Sequence, residues 1–377
     1  MAKPFLKRVT KTFFLICNLL LSALFLAGAN IQYFSPPHWW FIGLLSLSLP
    51  YFIVLLVIFF AGWLLAKSAW LLLPVITLSL GWQAVQNIIP FNSYAKFNIK
   101  KDTNTLRVMS WNVEQFDIQQ YKHHPEIKVQ MLELINKYKP DIACFQEMVG
   151  GDYNKAINYL GDFKRTLKFD NYYYSYDLRL DFDWSHHFGL IVFSRSAFIH
   201  KKTVTRYPFD YNSTFQYTDI IAGNDTIRIF NIHLQSLKLS PGNLNYLDNP
   251  KLYTDTTLSE SKNIMIKLKR AFLKRGRQAD NVKDEINKSP YPVIVCGDFN
   301  DVPNSYAYNT IGKNLQDAFV KKGSGIGRTF SGISPTLRID NVFVDNNFGI
   351  TQFTRINKKL SDHFPIITDV SILKPAN

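Results

Sequence analysis

The sequence predicts an α/β domain carried behind a membrane segment of three helices. Three observations lead there: an N-terminal quarter without acids, a change near residue 105 to short strands alternating with helices, and polar residues gathered at strand ends. With 377 residues the chain is long enough for one large domain, with a sizeable core, plus an extra module.

Residues 1–96 contain Lys3, Lys7, Arg8, Lys11, Lys67 and Lys96 and no Asp or Glu, so all 29 acids lie beyond them. Three apolar runs, about 13–34, 41–65 and 69–89, are each long enough to cross a bilayer. Pro50 and Pro74 interrupt the second and third, which membrane helices tolerate better than soluble ones. Trp39, Trp40, Trp63, Trp70 and Trp82 fall near the expected ends. The first run also reads as a signal peptide ending at Ala27-Gly28-Ala29, and either version leaves the remainder on the same side. Lys3, Lys7, Arg8, Lys11 and Lys67 favour the cytoplasm, so three spans make a multi-pass protein whose C-terminal domain is extracytoplasmic. Lys96, Lys100 and Lys101 pull the other way. The lipid bilayer is thus one expected partner, and no obligate protein partner is predicted.

Beyond residue 96 the chain carries 37 Lys and Arg against 29 Asp and Glu, a net charge of +8. Such a domain suits a phosphate-bearing substrate, an acidic membrane surface would attract it equally, and a merely solvated basic face competes with both. Cys17 lies in an expected span, whereas Cys144 and Cys296 sit in apolar strand-like runs; this argues against a disulfide framework or a zinc cluster and for buried thiols.

Residues 91–104 read as a linker and 105–377 as one domain. LRVMSWNV, DIACFQEM, FGLIVFS, IRIFNIHL, YPVIVCGDF, RIDNVFVD and FPIITDV read as strands, PEIKVQMLELINKY as a helix by the spacing of Ile127, Met131, Leu134 and Ile135, and about 256–275 as a basic helix. No solenoid repeat or low-complexity tract appears.

The stretch VIVCGDFND, residues 293–301, ends an apolar strand in Asp298 and Asn300. Alternation along an extended chain points both side chains one way and Phe299 back into the core. Gly, Asp and Asn are also turn formers, so the stretch reads equally as a turn. The same pattern recurs elsewhere. Asn112 closes the first strand, Glu147 the second, His233 lies in IFNIHL, Asp340 opens RIDNVFVD, and Ser361-Asp362-His363 precedes the last strand. Taken singly, Asn112 and Asp362 are turn residues, Glu147 a solvated acid and His233 a core histidine. Together they describe a site built at one edge of a sheet.

In order, SWNV, FQEM, NIHL, GDFN, RID and SDH make residues 105–371 resemble the endonuclease/exonuclease/phosphatase superfamily, which includes deoxyribonucleases, sphingomyelinases and inositol polyphosphate phosphatases. The resemblance implies a four-layer sandwich, two mixed β-sheets flanked by helices, and does not reach the apolar N-terminal segment. It also implies a metal-dependent phosphoesterase. A metal neutralises non-bridging oxygens, and carboxylate and amide oxygens are the natural ligands of Mg²⁺, with Mn²⁺ or Ca²⁺ as alternatives. By this resemblance Glu147 holds the ion with Asn112 beside it, and Asp362 is a third ligand or a turn cap. His363 is the general base, kept in one tautomer by Asp340. Asp298 orients the attacking water or assists at the metal, Asn300 donates to a phosphate oxygen, and His233 donates to the scissile phosphate or the leaving oxygen.

His233 points away from abasic-site repair, whose enzymes use a tyrosine elsewhere. Deoxyribonuclease pairs this histidine with an upstream glutamate; here His186 and His187 stand nearby and Asp183 is the nearest acid. KKGSGIGR, residues 321–328, does not link a strand to a helix and reads as a mobile loop rather than a nucleotide fingerprint. Arg328 and Arg338 read as phosphate clamps or as surface residues, and the aromatics of 171–184 as packing before stacking. The favoured expectation is a membrane-anchored phosphodiesterase acting on nucleic acid. Phospholipid or inositol phosphate hydrolysis is the alternative within the same chemistry, and an inactive receptor or scaffold the alternative outside it.

Overall fold

Apolar β-rich runs bounded by Gly, Pro and Asn become strands, and the computed structural model places twelve of them in two sheets. It describes residues 2–114, 124–151, 159–176, 186–205, 214–248 and 255–372. The strands are β1 Leu106–Asn112, β2 Ile142–Gly151, β3 Asn171–Tyr176, β4 His186–Ser194, β5 Phe198–Thr205, β6 Thr214–Ala222, β7 Asp225–His233, β8 Val293–Asp298, β9 Gln316–Asp317, β10 Asp340–Val344, β11 Phe348–Arg355 and β12 Ile366–Ile372. One sheet has the order β11-β12-β1-β2-β4-β3, the other β5-β6-β7-β8-β10-β9. Each mixes one parallel pair, β1 with β2 and β7 with β8, into antiparallel neighbours.

The inner faces pack on each other through Val108, Ile142, Cys144, Ile229, Ile294, Cys296 and Val342. The outer face of the first sheet is covered by the helices Glu126–Tyr138 and Tyr159–Leu167, and that of the second by Asp255–Asn287 and Tyr306–Gly312. This is the expected four-layer sandwich. Cys144 and Cys296 are free thiols facing each other across the inner core, and burial pushes Cys144 well up. The basic helix runs to Asn287, past the expected 275, because nothing stops it before Pro290.

The outer strands β3, β5, β6, β9 and β11 complete the sheets beyond the seven expected ones. Of the aromatic stretch 171–184 only 171–176 is described; it forms β3, where Tyr174 Oη bonds the carbonyls of Met148 and His187, so the described ring packs rather than awaits a ligand.

Two helices, Arg8–Ala29 and Ile42–Leu65, are long and apolar enough to cross a membrane. They pair through a buried polar contact of the kind that joins spans, Trp63 Nε1 to Asn18 Oδ1 at 3.1 Å, and Thr77 Oγ1 of the third apolar run bonds Ser22 Oγ of the first helix at 2.9 Å. The third apolar run is not one straight span. It breaks at Gly81 into Ala69–Leu80 and Trp82–Ile88, bent by 69°. Phe25 lies where a Cβ on Gly81 would stand, so the close approach of the first helix requires glycine at the break. The linker has no regular element, yet it is fastened. Asn92 Nδ2 donates to the carbonyls of Val320 and Gly323, and Arg107 holds the carbonyls of Asn98 and Ile99 while pairing with Asp369 at 2.7 Å.

Helical segment and sandwich meet at Arg338. This fully buried guanidinium bonds Asp317 Oδ2 at 3.0 Å, Asn341 Oδ1 at 2.6 Å and the carbonyl of Asn87 at 2.9 Å. It is a structural cation, not the phosphate clamp or surface residue expected. Arg328 is likewise spent on its own loop, on the carbonyls of Phe330, Ser331 and Gly332. We expect Arg338→Met to leave the buried Asp317 carboxylate without its cation and to cost about 3–5 kcal/mol, read as a lowered unfolding midpoint of the full chain in detergent.

Candidate active site

Register places three of the expected residues side by side. His233 on β7 is the register partner of Asp298 on β8, and Asp298 is the partner of Asp340 on β10. Side chains at paired positions share a face, so the three stand abreast at the end of the second sheet. Gly297 makes the row possible: it takes φ +145, and a side chain there would strike the carbonyl of Ile232.

Asn300 reaches the same place by another route than strand alternation. β8 stops at Asp298, Phe299 turns into the core, and Asn300 adopts φ +51 in the following turn. Its N–H donates to Asp298 Oδ1 at 2.7 Å, and Nδ2 donates to Asp298 Oδ2 at 3.1 Å and the Leu234 carbonyl at 3.0 Å. Turn and site, the two readings of GDFN, are therefore one object.

The first sheet contributes from the opposite side. Register slips between Phe145 and Met148 on β2, and Glu147 takes φ +56 in that bulge, which re-aims its side chain at the sheet end. Asn112, last on β1, donates Nδ2 to Glu147 Oε1 at 3.3 Å and to Asp298 Oδ2 at 3.1 Å, so one amide joins carboxylates from both sheets. His233 Nε2 lies 3.8 Å from Glu147 Oε1 and 3.6 Å from Asp298 Oδ2. Among the described residues its acidic neighbours come from β2 and β8, and the upstream candidate Asp183 lies outside them.

The segment before β12 closes the site. Ser361 Oγ donates to the Asn112 carbonyl at 2.8 Å and accepts the His363 N–H at 3.1 Å, while Trp111 Nε1 donates to the His363 carbonyl at 2.9 Å. His363 Nδ1 meets Asp340 Oδ2 at 2.9 Å, and its Nε2 faces Asp298 Oδ2 at 3.7 Å. Phe330 packs edge-on against the imidazole with ring centres 5.1 Å apart. Asp362 Oδ1 is 3.9 Å from His363 Nε2. Asn112, Glu147, His233, Asp298, Asn300, Asp340, Asp362 and His363 are therefore all brought together.

Several supporting residues carried no signal of their own. Glu114 Oε2 accepts the Asp362 N–H at 2.7 Å, and Thr329 Oγ1 accepts the N–H groups of Ile339 and Asp340. Gln146 Nε2 donates to Asn231 Oδ1 at 2.7 Å, joining the sheets beneath the site. Gln146 and Asn231 lie inside FQEM and NIHL, where Glu147 and His233 drew the attention.

Negative charge is in surplus here: Glu114, Glu147, Asp298, Asp340 and Asp362 surround two imidazoles. Burial pushes Asp298 above the usual carboxylate range and Asp340 adds to this, while His363 and His233 pull the other way. Burial also pushes Asp362 up to about 7, with Glu114, Glu147 and Asp298 adding to it against the pull of His363, although its side chain keeps 40% exposure. For His363 burial alone would lower the pKa, but Asp340 and Asp298 outweigh it and hold it well above the usual imidazole value. Such a cluster fits a divalent cation. Donor atoms of Asp298, Asp340 and His363 fall within 4.8 Å of one another, but the His363–Asp340 bond already occupies two of them. The carboxylates of Glu147 and Asp362 are the more open donors for a hard ion, and Asn112 stands beside them, buried and with Oδ1 accepting the Glu114 N–H at 3.0 Å. A surface groove between β3 and β5, of about 710 Å³ and lined by Tyr172, Tyr176, His187 and His200, holds none of these residues.

Residues 109–363 match the Endonuclease/Exonuclease/phosphatase family, and residues 11–88 match a domain of unknown function. No curated protein matches the chain. Among solved structures, D. rerio TDP2 complexed with a single-strand DNA product is similar at 15% identity and TM-score 0.50, covering 72% of this chain and 100% of that one. A Bacteroides thetaiotaomicron mannosyl-6-phosphatase is similar at 17% identity and TM-score 0.48, covering 70% and 99%. The human Nocturnin catalytic domain is similar at 17% and 0.48, covering 71% and 93%. At these identities the likeness is one of fold. With its sandwich and its ordered strand-end motifs inside the matched span, the chain belongs to the endonuclease/exonuclease/phosphatase family.

Proposed function

We propose that the protein is a membrane-anchored, divalent-metal-dependent hydrolase of phosphate esters, its catalytic domain outside the cytoplasm. The observation that carries the reading is the pair of converging ends. A buried His363–Asp340 couple faces Asp298 from one side, and Glu147 with Asn112 faces it from the other. The orientation rests on the basic residues ahead of the first span.

Glu147, Asn112 and Asp362 would hold the ion, Mg²⁺ first and Mn²⁺ or Ca²⁺ as alternatives. Bound there, it supplies positive charge against the surrounding carboxylates and the non-bridging oxygens of the phosphate. Asp340 accepts from Nδ1 of His363 and raises its basicity, so Nε2 takes the proton of the attacking water in the fraction of the enzyme in which it is unprotonated, a fraction that grows as pH rises. Asp298, beside Nε2 and pinned by both donors of Asn300, orients that water. Asn300 can donate to a phosphate oxygen by exchanging its bond to the Leu234 carbonyl. His233, in the same row, donates to the phosphate or the leaving oxygen. The basic domain, net +8, supports a polyanion such as nucleic acid, and TDP2 bound to a DNA product supports it by analogy of fold. A receptor or scaffold would have no use for the His363–Asp340 couple.

The test uses the full chain on bis(p-nitrophenyl) phosphate. EDTA should abolish turnover and Mg²⁺ restore it, and Glu147→Ala and His363→Ala should each lower kcat by about 10²- to 10⁴-fold. Metal-independent turnover, or full activity in both variants, would refute the reading. We expect Asp340→Asn to lower kcat by about 10- to 100-fold with little change in KM, as for a residue that acts through His363.

A further inference from the structure

The end of the sandwich that carries the site is also the end that abuts the membrane helices. Val302 and Pro303, in the turn after Asn300, share an apolar pocket with Ser46, Leu47, Pro50 and Ile88 of the helical segment. Asn304 bonds Asn87 at 2.7 Å and the Ala84 carbonyl at 2.9 Å. Arg338, two residues before Asp340, holds the Asn87 carbonyl. The loop 323–337 carries Phe330 against His363 and, four residues on, Ser334 against Tyr51 Oη of the second span at 3.0 Å.

The depth of that contact can be set. Ile42–Leu65 has 24 residues, about 36 Å at about 1.5 Å per residue, against a hydrocarbon core of about 30 Å. Lys67 and the exposed Trp70 mark the end away from the sandwich, and the exposed Trp39 and Trp82 the near end. About 20 residues counted back from Leu65 reach Ser46, so Tyr51 sits about 8 Å inside the near boundary. A helical side chain leans toward the helix N-terminus, here the near end, so Tyr51 Oη and the Ser334 that it bonds lie at the near boundary. On the same loop Ile326 and Ile333 are 42% and 45% exposed, and Ile333, a β-branched residue, is held at φ +58. Arg328 stiffens the loop through three of its carbonyls. A rigid loop showing two isoleucines at this depth is covered by lipid.

We propose that the loop 323–337 is seated in the bilayer interface through Ile326 and Ile333, and that the substrate is the phosphodiester headgroup of a membrane lipid. The assignment rests on the catalytic reading above. The oxygen of water forms the new bond to phosphorus, one ester P–O bond breaks, and the proton taken from water ends on the leaving oxygen. The net charge of +8 that suits nucleic acid suits an acidic membrane surface equally, and the seated loop decides for the lipid.

The full chain, reconstituted in phosphatidylcholine vesicles containing phosphatidylglycerol, phosphatidylinositol or sphingomyelin, is assayed for lipid loss, and in parallel on plasmid DNA and bis(p-nitrophenyl) phosphate. We expect one of these lipids to be consumed. The double variant I326S/I333S should lose about tenfold of that activity while turnover of bis(p-nitrophenyl) phosphate stays within about twofold. A nitrobenzoxadiazole group on I333C, in a C17S background, should be quenched by doxyl-labelled lipid. Cleavage of plasmid with every lipid intact, lipid hydrolysis indifferent to I326S/I333S, or an unquenched label would each overturn the proposal. Inertness toward bis(p-nitrophenyl) phosphate is a separate outcome, since it fails the catalytic reading and takes the lipid assignment with it.

Discussion

A buried hydrogen bond between Gln146 and Asn231, 2.7 Å long, fixes the two sheets to each other directly beneath the site. Asn231 adds bonds from Nδ2 to the carbonyls of Phe145 and Ile191, so one side chain of the second sheet is locked into two strands of the first. Glu147 follows Gln146 by one residue and His233 follows Asn231 by two. The distance across the cleft is thereby set by polar contacts inside an otherwise apolar sandwich, where a slip would orphan several buried groups at once. Asn112 can touch Glu147 and Asp298 together only because this clamp holds.

What the clamp assembles is an electrostatic problem that the described buried arginines do not solve. The buried arginines are spent elsewhere: Arg107 on Asp369, Arg228 on Asp219, Arg275 on Asp301 and Arg338 on Asp317. None of these pairs reaches the cleft acids. Burial raises Asp298 and Asp362, neighbouring carboxylates add to it, and an added cation at this place would relieve both, which is how a fold gives up stability at a working site.

Much of this was legible in the sequence, for a physical reason. β1, β2, β4, β7, β8, β10 and β12 bury both faces or end in the site, so they read as apolar runs with polar ends. β5 and β6 are polar on one face and lie toward a sheet edge, and FIHKKTVT and TFQYTDIIA gave no such run. Motif order located the site residues; their geometry was beyond reach. The bulge that turns Glu147, the positive φ of Asn300 and the register row of His233, Asp298 and Asp340 depend on pairing between segments distant in sequence. Arg338 was misread because burial cannot be seen in a charged residue beside a loop. The third apolar run shows a similar limit, since hydropathy gives its length and not the bend at Gly81.

The helical segment and the site share one wall, with Arg338 and Asn304 holding the helices on one side while Asp340 and Asn300 face the cleft on the other. The central claim remains the cation. The direct measurement is the thermal midpoint of the full chain with and without Mg²⁺, for wild type and Glu147→Gln. Saturating Mg²⁺ should stabilise the wild type, by about 2.7 kcal/mol at a hundredfold excess over Kd, and leave Glu147→Gln where it was. No shift in the wild type, or the same shift in both, would contradict a cation held by Glu147 between the two sheets.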